Sequence, residues 1–273
     1  MVTTSTMPLT AVSPGRWRTF AGEQWSNPGG GLWGGYAIGL FVRVLEAEPE
    51  AVGEALSLTL TYASALPAGD LDIRTRKLRQ GGSVGVWEVE VMKAGSEQVG
   101  VHGIVTMARR PRTAPFAFAR IPDAPPPESL PVTEMMEANP QHYGSSAFER
   151  RPVMGFPPVA MEDSRSLCWV RPRQGVFDKA LLGMVTDHSP PRAMYALGRD
   201  VWTTTLSLTA YLHATPADLA AVGNDFILVE CEGRVGGNGA SDERSSYWSR
   251  DGKLLATSEQ LAWYREMQRT VPE

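Results

Sequence analysis

The chain has little of what metal, thiol or nucleic-acid chemistry requires. Among its 273 residues are two cysteines, Cys168 and Cys231, each inside a run that reads as a strand, with no CxxC spacing and no His-rich neighbour. That excludes a disulfide scaffold or a zinc knuckle and leaves both as reduced core residues. The four histidines, His102, His142, His188 and His213, are dispersed without HxxxH or HExxH spacing, so neither a metal nor another cofactor is expected. Positive charge is not in excess: 26 Lys and Arg against 30 Asp and Glu give a net charge of −4. A nucleic-acid partner, which needs a basic face to neutralise phosphates, is excluded, while a local basic patch for one anionic ligand is not. Met1 to Arg16 holds neither a basic start nor a long apolar run. No secretory signal or membrane span is therefore expected, and a cytoplasmic location follows by default.

What is present suits a folded protein of two ordinary domains. Hydrophobic residues make up 42% and charged residues 21%, the balance of a soluble globular chain. At roughly 150 residues per domain the length points to two cores. Eleven of the 21 prolines fall between Pro111 and Pro158, in a stretch without sustained hydrophobic period. The reading places an N-terminal domain at 1–115, a Pro-rich linker at 116–145 and a C-terminal domain at 146–273.

The two domains repeat one another. Leu56-Ser57-Leu58-Thr59 recurs as Leu206-Ser207-Leu208-Thr209, each copy followed by a Tyr, an Ala and a Pro. Beyond each copy lie two alternating runs around a turn, Ala94-Gly95 in one half and Asp251-Gly252 in the other, both expected hairpins. Before each copy lies a helical stripe. Ile38, Phe41, Val42 and Leu45 mark a helix over Tyr36 to Glu46, opened by Gly34-Gly35; Phe177, Leu181, Leu182, Met184 and Val185 mark another, stopped by Pro190-Pro191 and ending near Asp187-His188. One helix followed by antiparallel strands, twice over, fits an α+β class in which each sheet wraps one central helix. A doubly wound fold does not fit, because strand and helix do not keep alternating.

Two motifs mimic known chemistry. Gly29-Gly30-Gly31-Leu32-Trp33-Gly34 satisfies GxGxxG, but no strand precedes it and no βαβ unit follows. Its glycines suit either a close backbone approach, with helix N–H groups free to hold a carbonyl or phosphate, or a plain flexible lead-in to the helix. Gly81-Gly82-Ser83-Val84-Gly85 satisfies GxSxG, but a nucleophile elbow needs a helix after its serine, and the alternation of Val84 to Val91 is that of a strand. Ser83 is expected at a hairpin tip, outside any site.

Three polar residues are candidates, of which only Asp187 is unusual by itself; the hydroxyl-rich face of Thr205 is ordinarily just solvated, and Gln260 taken singly is unremarkable. Asp187, at the end of an apolar helix, opposes the helix dipole; it is either a buried carboxylate suited to take a proton from water or an exposed cap of the next turn. Thr205 lies on a strand whose odd positions Thr203, Thr205, Ser207 and Thr209 oppose an apolar face of Trp202, Leu206, Leu208 and Leu212. Gln260 shares a strand face with Leu254, Ala256, Ser258 and Ala262, where its amide enters a half-buried spot.

These features resemble the acyl-CoA thioesterase II family, and the likeness extends over most of the chain. Its marks are Gly34-Gly35 at the first helix, with Tyr36 where the family usually has Gln; Leu181-Leu182-Gly183-Met184-Val185-Thr186-Asp187; the strand beginning Thr204-Thr205; and Leu254 to Gln260. The resemblance implies two fused hot-dog domains and a site in which Asp187, Thr205 and Gln260 orient a water that attacks an acyl-CoA thioester, with no metal and no covalent intermediate. It implies Gly34 and Gly35 as the place of substrate binding and oxyanion stabilisation. Ser207 and Leu208 depart from the acidic residue and His that commonly follow the strand Thr, whereas His213 matches a family His further along. Alternatives are a non-catalytic acyl-CoA binder and a hot-dog enoyl-CoA hydratase, although Asp187-His188-Ser189-Pro190 lacks the Asn-containing loop of the latter. Exposed sheet edges and faces lead to the expectation of a homo-oligomer.

Overall fold

The structure, a computed structural model, describes residues 7–27, 30–133, 147–155, 161–199 and 201–266. In the first half, strands β1 (Leu9–Ser13) and β2 (Arg16–Ala21) precede helix α1 (Gly34–Ala47), and β3 (Glu54–Tyr62), β4 (Gly69–Gln80), β5 (Val84–Lys93) and β6 (Val99–Ala108) follow it. The second half repeats the order with β7 (Phe148–Met154), β8 (Ser166–Pro172), α2 (Lys179–Val185), α3 (Arg192–Leu197), β9 (Val201–Leu212), α4 (Pro216–Val222), β10 (Ile227–Glu232), the two-residue β11 (Gly236–Gly237), β12 (Ala240–Trp248) and β13 (Leu254–Glu266). The four strands after each helix were legible as alternating runs. Of the strands before the helices only the run around Cys168, now β8, was legible; β1 and β2 carry mostly exposed side chains and give no apolar period.

All strands join one antiparallel sheet in the order β1-β2-β4-β5-β6-β3-β9-β13-β12-β10-β8-β7, with β11 on β12. The order reads the same from either end once the halves are equated, so the molecule has a pseudo-twofold axis between β3 and β9. The register places that axis on the sequence repeat itself: Thr59 pairs with its own counterpart Thr209, and the Thr209 hydroxyl reaches the Thr59 hydroxyl at 3.2 Å. The two hairpin turns are present, with Gly95 and Gly252 at φ of 75° and 88°, a region glycine enters without steric cost.

The helices lie on one face of the sheet and run antiparallel to each other. An added Cβ at Gly183 would stand 3.2 Å from Ile38, and one at Gly39 would stand 2.6 Å from Met184. At the other end Arg43 of α1 pairs with Asp178, which caps α2 by accepting from the Leu181 N–H at 2.9 Å. Squeezed between sheet and partner helix, α1 is buried nearly all round from Gly35 to Leu45, not only along the expected stripe. Each half is a hot-dog unit, an antiparallel sheet packed on one central helix, of 14 residues in the first half and 7 in the second.

Two expectations need correction. The second helix ends at Val185, and Asp187 lies two residues past it; the Thr186 N–H and hydroxyl both turn back onto the Gly183 carbonyl and close the helix early. Strand β9 does not keep one alternation. Ser207 pairs with Leu261 but Thr205 with Ala262, so Leu206 is an extra, bulged residue. The bulge shifts the phase: Leu208, Ala210 and Leu212 face the core, as Thr205 does, while Trp202 faces outward at 45% exposure. The first half carries the same bulge at Leu56, between Ala55 and Ser57.

The described part of the Pro-rich stretch, through Thr133, has one helical turn, Pro127–Ser129, and is held by Trp169 Nε1 to the Pro125 carbonyl at 2.9 Å and Arg151 to the Pro127 carbonyl at 3.0 Å. The remaining linker positions 134–145, with His142, and Gly29 of the GxGxxG match lie outside the described residues. Ser83 sits in the turn between β4 and β5, with a strand and not a helix after it.

Candidate active site

Asp187 leaves α2 at the point where α1 begins. The N-terminus of α1 carries no side-chain cap, since its N-cap is Trp33, so its first N–H groups look for other acceptors. The Gly35 N–H finds the Asp187 carboxylate. The residue that seemed to oppose its own helix dipole therefore lies at the positive end of another. Trp33 fixes the same segment from outside by donating its indole N–H to the Asp187 carbonyl at 3.0 Å.

The glycine pair makes this approach possible. A Cβ on Gly34 would stand 2.7 Å from Asp187 Oδ2 and 3.1 Å from the Tyr62 hydroxyl; one on Gly35 would meet Trp33 at 2.4 Å and the Met184 carbonyl at 2.6 Å. No real Cβ sits so close. The Tyr62 hydroxyl donates to the Gly34 carbonyl at 3.0 Å, and burial together with the nearby Asp187 charge pushes its own pKa well above the usual phenol value. Tyr36, in place of the family's Gln, is buried and packs on Trp25 with ring centroids 5.2 Å apart.

From the sheet, the Thr205 hydroxyl makes a long contact of 3.5 Å to Asp187 Oδ1. The bulge at Leu206 is what turns Thr205 inward. Gln260 lies two residues along β13 from Ala262, the partner of Thr205, and so shares the inner face with it. Its Oε1 is buried and has no hydrogen-bond partner among the described residues. Asp187 and Thr205 thus meet beside Gly34 and Gly35, and Gln260 lies on the same inner face of the sheet as Thr205.

The carboxyl pKa of Asp187 is pushed up from 3.8 to about 7. Burial is the main cause and the negative charge of Glu243 adds to it, while the Gly35 N–H and the Thr205 hydroxyl pull the other way. The residue as a whole is partly exposed, although its carboxyl is desolvated. A carboxylate tuned to the middle of the pH scale suits general-base work.

Two residues of this neighbourhood escaped sequence reasoning. Glu243 is 5% exposed and is the cross-strand partner of Gln260; Arg192, 3% exposed, stands 3.4 Å from the Glu243 carboxylate. The serine-rich run Ser241 to Ser246 hides which phase of β12 is buried, and only the pairing with β13 shows that Glu243 points inward. His188 is buried too, but Arg150 donates to its Nδ1 at 3.0 Å, and burial first, then that guanidinium, holds its pKa well below the usual imidazole value. It is a neutral neighbour of Asp187, not its proton partner. Among the described residues no group of three His, Cys, Asp or Glu is placed to hold a metal ion.

The pseudo-twofold axis shows how specialised this place is. By strand register, the counterparts of Thr205, Gln260 and Glu243 in the first half are Ala55, Val105 and Trp87. Glu48, past the end of α1, is tied off by the Trp17 indole at 3.0 Å and the Thr75 hydroxyl at 2.8 Å. The first-half counterparts of Thr205, Gln260 and Glu243 are thus apolar, while the charges at that end of the helices, Arg43 with Asp178 and Lys179 with Glu54, are paired off.

Comparison with known proteins gives matches over both halves. Residues 22–108 match the family model described as the acyl-CoA thioesterase N-terminal domain, and residues 121–264 match that of the acyl-CoA thioesterase C-terminal domain. An uncharacterised protein of Mycobacterium tuberculosis is 25% identical over 280 residues, 90% of either chain. A hot-dog protein of unknown function from Alicyclobacillus acidocaldarius has a TM-score of 0.88 at 23% identity, and an acyl-CoA thioesterase II from Mycobacterium marinum a TM-score of 0.72 at 17% identity, each over 96% of this chain and 97% of the other.

Proposed function

The chain belongs to the acyl-CoA thioesterase family, and from that premise we propose that it hydrolyses acyl-CoA to free acid and CoA by direct attack of water. The observation that supports this best is the contact of Asp187 with Thr205 on the inner face of the sheet that also carries Gln260, three polar side chains from a loop and two strands, where the first half has Ala55 and Val105 in place of Thr205 and Gln260.

In this reading Asp187 takes the proton as water attacks the thioester carbon. The Thr205 hydroxyl and the Gln260 amide fix the direction of attack, and the unpartnered Gln260 Oε1 is an acceptor that a water O–H satisfies. The Gly35 N–H is committed to the base. The thioester carbonyl is assigned to the open N-terminus of α1 at Gly34, where the helix field favours developing negative charge. The CoA thiolate then leaves and is protonated, and no acyl-enzyme forms.

Purified protein incubated with acyl-CoAs and a thiol-trapping reagent tests the reaction: CoA appears with turnover. Saturable binding without thiol release would leave a silent acyl-CoA binder. Single-turnover hydrolysis in ¹⁸O water tests the route, since direct attack places the label in the fatty acid, whereas an acyl-Asp187 intermediate places it in the protein. We further propose that the chain forms a homo-oligomer.

A further inference from the structure

We propose that Glu243, fixed by Arg192, is a positioning residue of this site, which strengthens Asp187 as a base and orients the Gln260 amide. The inference rests on the thioesterase reading above.

Three observations carry it. Glu243 and Gln260 are direct cross-strand partners on the inner face of β12 and β13, a relation that brings Cβ atoms within about 5 Å; Gln260 Oε1 is buried without a hydrogen-bond partner among the described residues, and Glu243 Oε2 faces Arg192 Nε at 3.4 Å. A carboxylate beside a carboxamide draws the N–H end of the amide toward itself and leaves the carbonyl end for another donor. The fold does not need an acid here: Trp87 fills the same position in the first half, 2% exposed. Burying Glu243 and Arg192 at 5% and 3% exposure carries a desolvation cost that an apolar pair would avoid.

Arg192 stands beside the acid as its ion-pair partner, Nε 3.4 Å from Glu243 Oε2. Its guanidinium donates to the carbonyls of Ser164 at 2.9 Å and Pro190 at 3.1 Å and to the Ser166 hydroxyl at 2.9 Å, tying the segment just after Asp187 to the sheet. Burial pushes the Glu243 carboxyl pKa up, and the Arg192 guanidinium, which does not give up its proton, pulls it back toward the charged form. The titratable groups around Asp187 are Tyr62 from β3, Glu243 from β12, and Arg150 from β7 acting through His188; around Glu243 they are Arg192, Cys231 from β10 and Asp242 beside it. Of the charges facing Asp187, Glu243 is the one that makes its ionisation harder and its conjugate base stronger.

The test is the pH profile of kcat for wild type, Glu243→Gln and Asp187→Asn, with circular dichroism to confirm the fold. Wild type should rise through an apparent pKa near 7, the value to which Asp187 is pushed. Glu243→Gln should move that limb down by about one pH unit and lower the plateau kcat about 3- to 30-fold, with KM changed less than about twofold. The double variant Arg192→Met/Glu243→Gln, which strands no charge, carries the same expectation if the single variant fails to fold. An unmoved limb, whether or not kcat falls, overturns the inference: it would make Glu243 structural or irrelevant while leaving Asp187 as base, provided Asp187→Asn abolishes the limb. A limb that survives in Asp187→Asn overturns the parent reading as well.

Discussion

Asp187 is pulled between a helix terminus that favours its charge and a buried setting that does not, and burial wins. Folding therefore favours the protonated form. The cost to stability is absent below about pH 4, grows as pH rises, and is complete once pH passes about 7. Asp187→Asn should accordingly melt at a higher temperature than wild type at pH 8 and at nearly the same temperature at pH 4; thermal unfolding at the two pH values checks this. Ser83→Ala should leave both turnover and melting unchanged, because Ser83 occupies an exposed turn before β5; a loss of 10³-fold or more with the fold intact would restore a serine nucleophile. At this scale Asp187 drew notice in the sequence as a carboxylate ending an apolar helix, whereas Thr205 and Gln260 became candidates only through the family pattern. Glu243 and Arg192 were not legible, because a charge is read as exposed until its partner strand is known.

Among the elements, α1 carries the sharpest constraint. Its uncapped N-terminus reaches the carboxylate through two glycines, and Gly34→Ala would drive a methyl to 2.7 Å from Asp187 Oδ2. Overpacking of this kind costs about 1–3 kcal/mol, so the variant should melt several degrees lower and lose at least tenfold in kcat. Unchanged kinetics and melting in Gly34→Ala would show that the approach is looser than the geometry states. Both central helices were visible from their apolar stripes, but the end of α2 was set by Thr186 turning back on Gly183, which no periodicity reports. The bulge at Leu206 was equally hidden: it is defined by a mismatch between two strands, 205–207 against 261–262, and not by any residue of its own.

For the whole molecule, the duplication was the most readable feature. The repeated Leu-Ser-Leu-Thr marks the strands β3 and β9 that meet at the twofold axis, so the letters that reveal the repeat also build the junction. The asymmetry was less readable, since the apolar counterparts Ala55, Val105 and Trp87 become significant only through the register. The sheet face away from the helices shows Trp202 at 45%, Tyr211 at 48%, Leu261 at 41% and Trp263 at 37% exposure. Apolar side chains gathered on an open sheet favour self-association. Light scattering should give at least twice the chain mass of 29.7 kDa, and a monomer across a wide concentration range would contradict the expectation.

Thiol release from acyl-CoA by wild type and by Asp187→Asn, assayed side by side, tests the central claim most directly. Asn keeps the size and most of the hydrogen bonding of Asp but cannot accept the proton of water. With Asp187 as the general base, kcat should fall by roughly 10²–10⁴-fold while KM changes little, because the lost interaction belongs to the transition state. Turnover by Asp187→Asn at the wild-type rate would contradict the account and remove Asp187 from the chemistry.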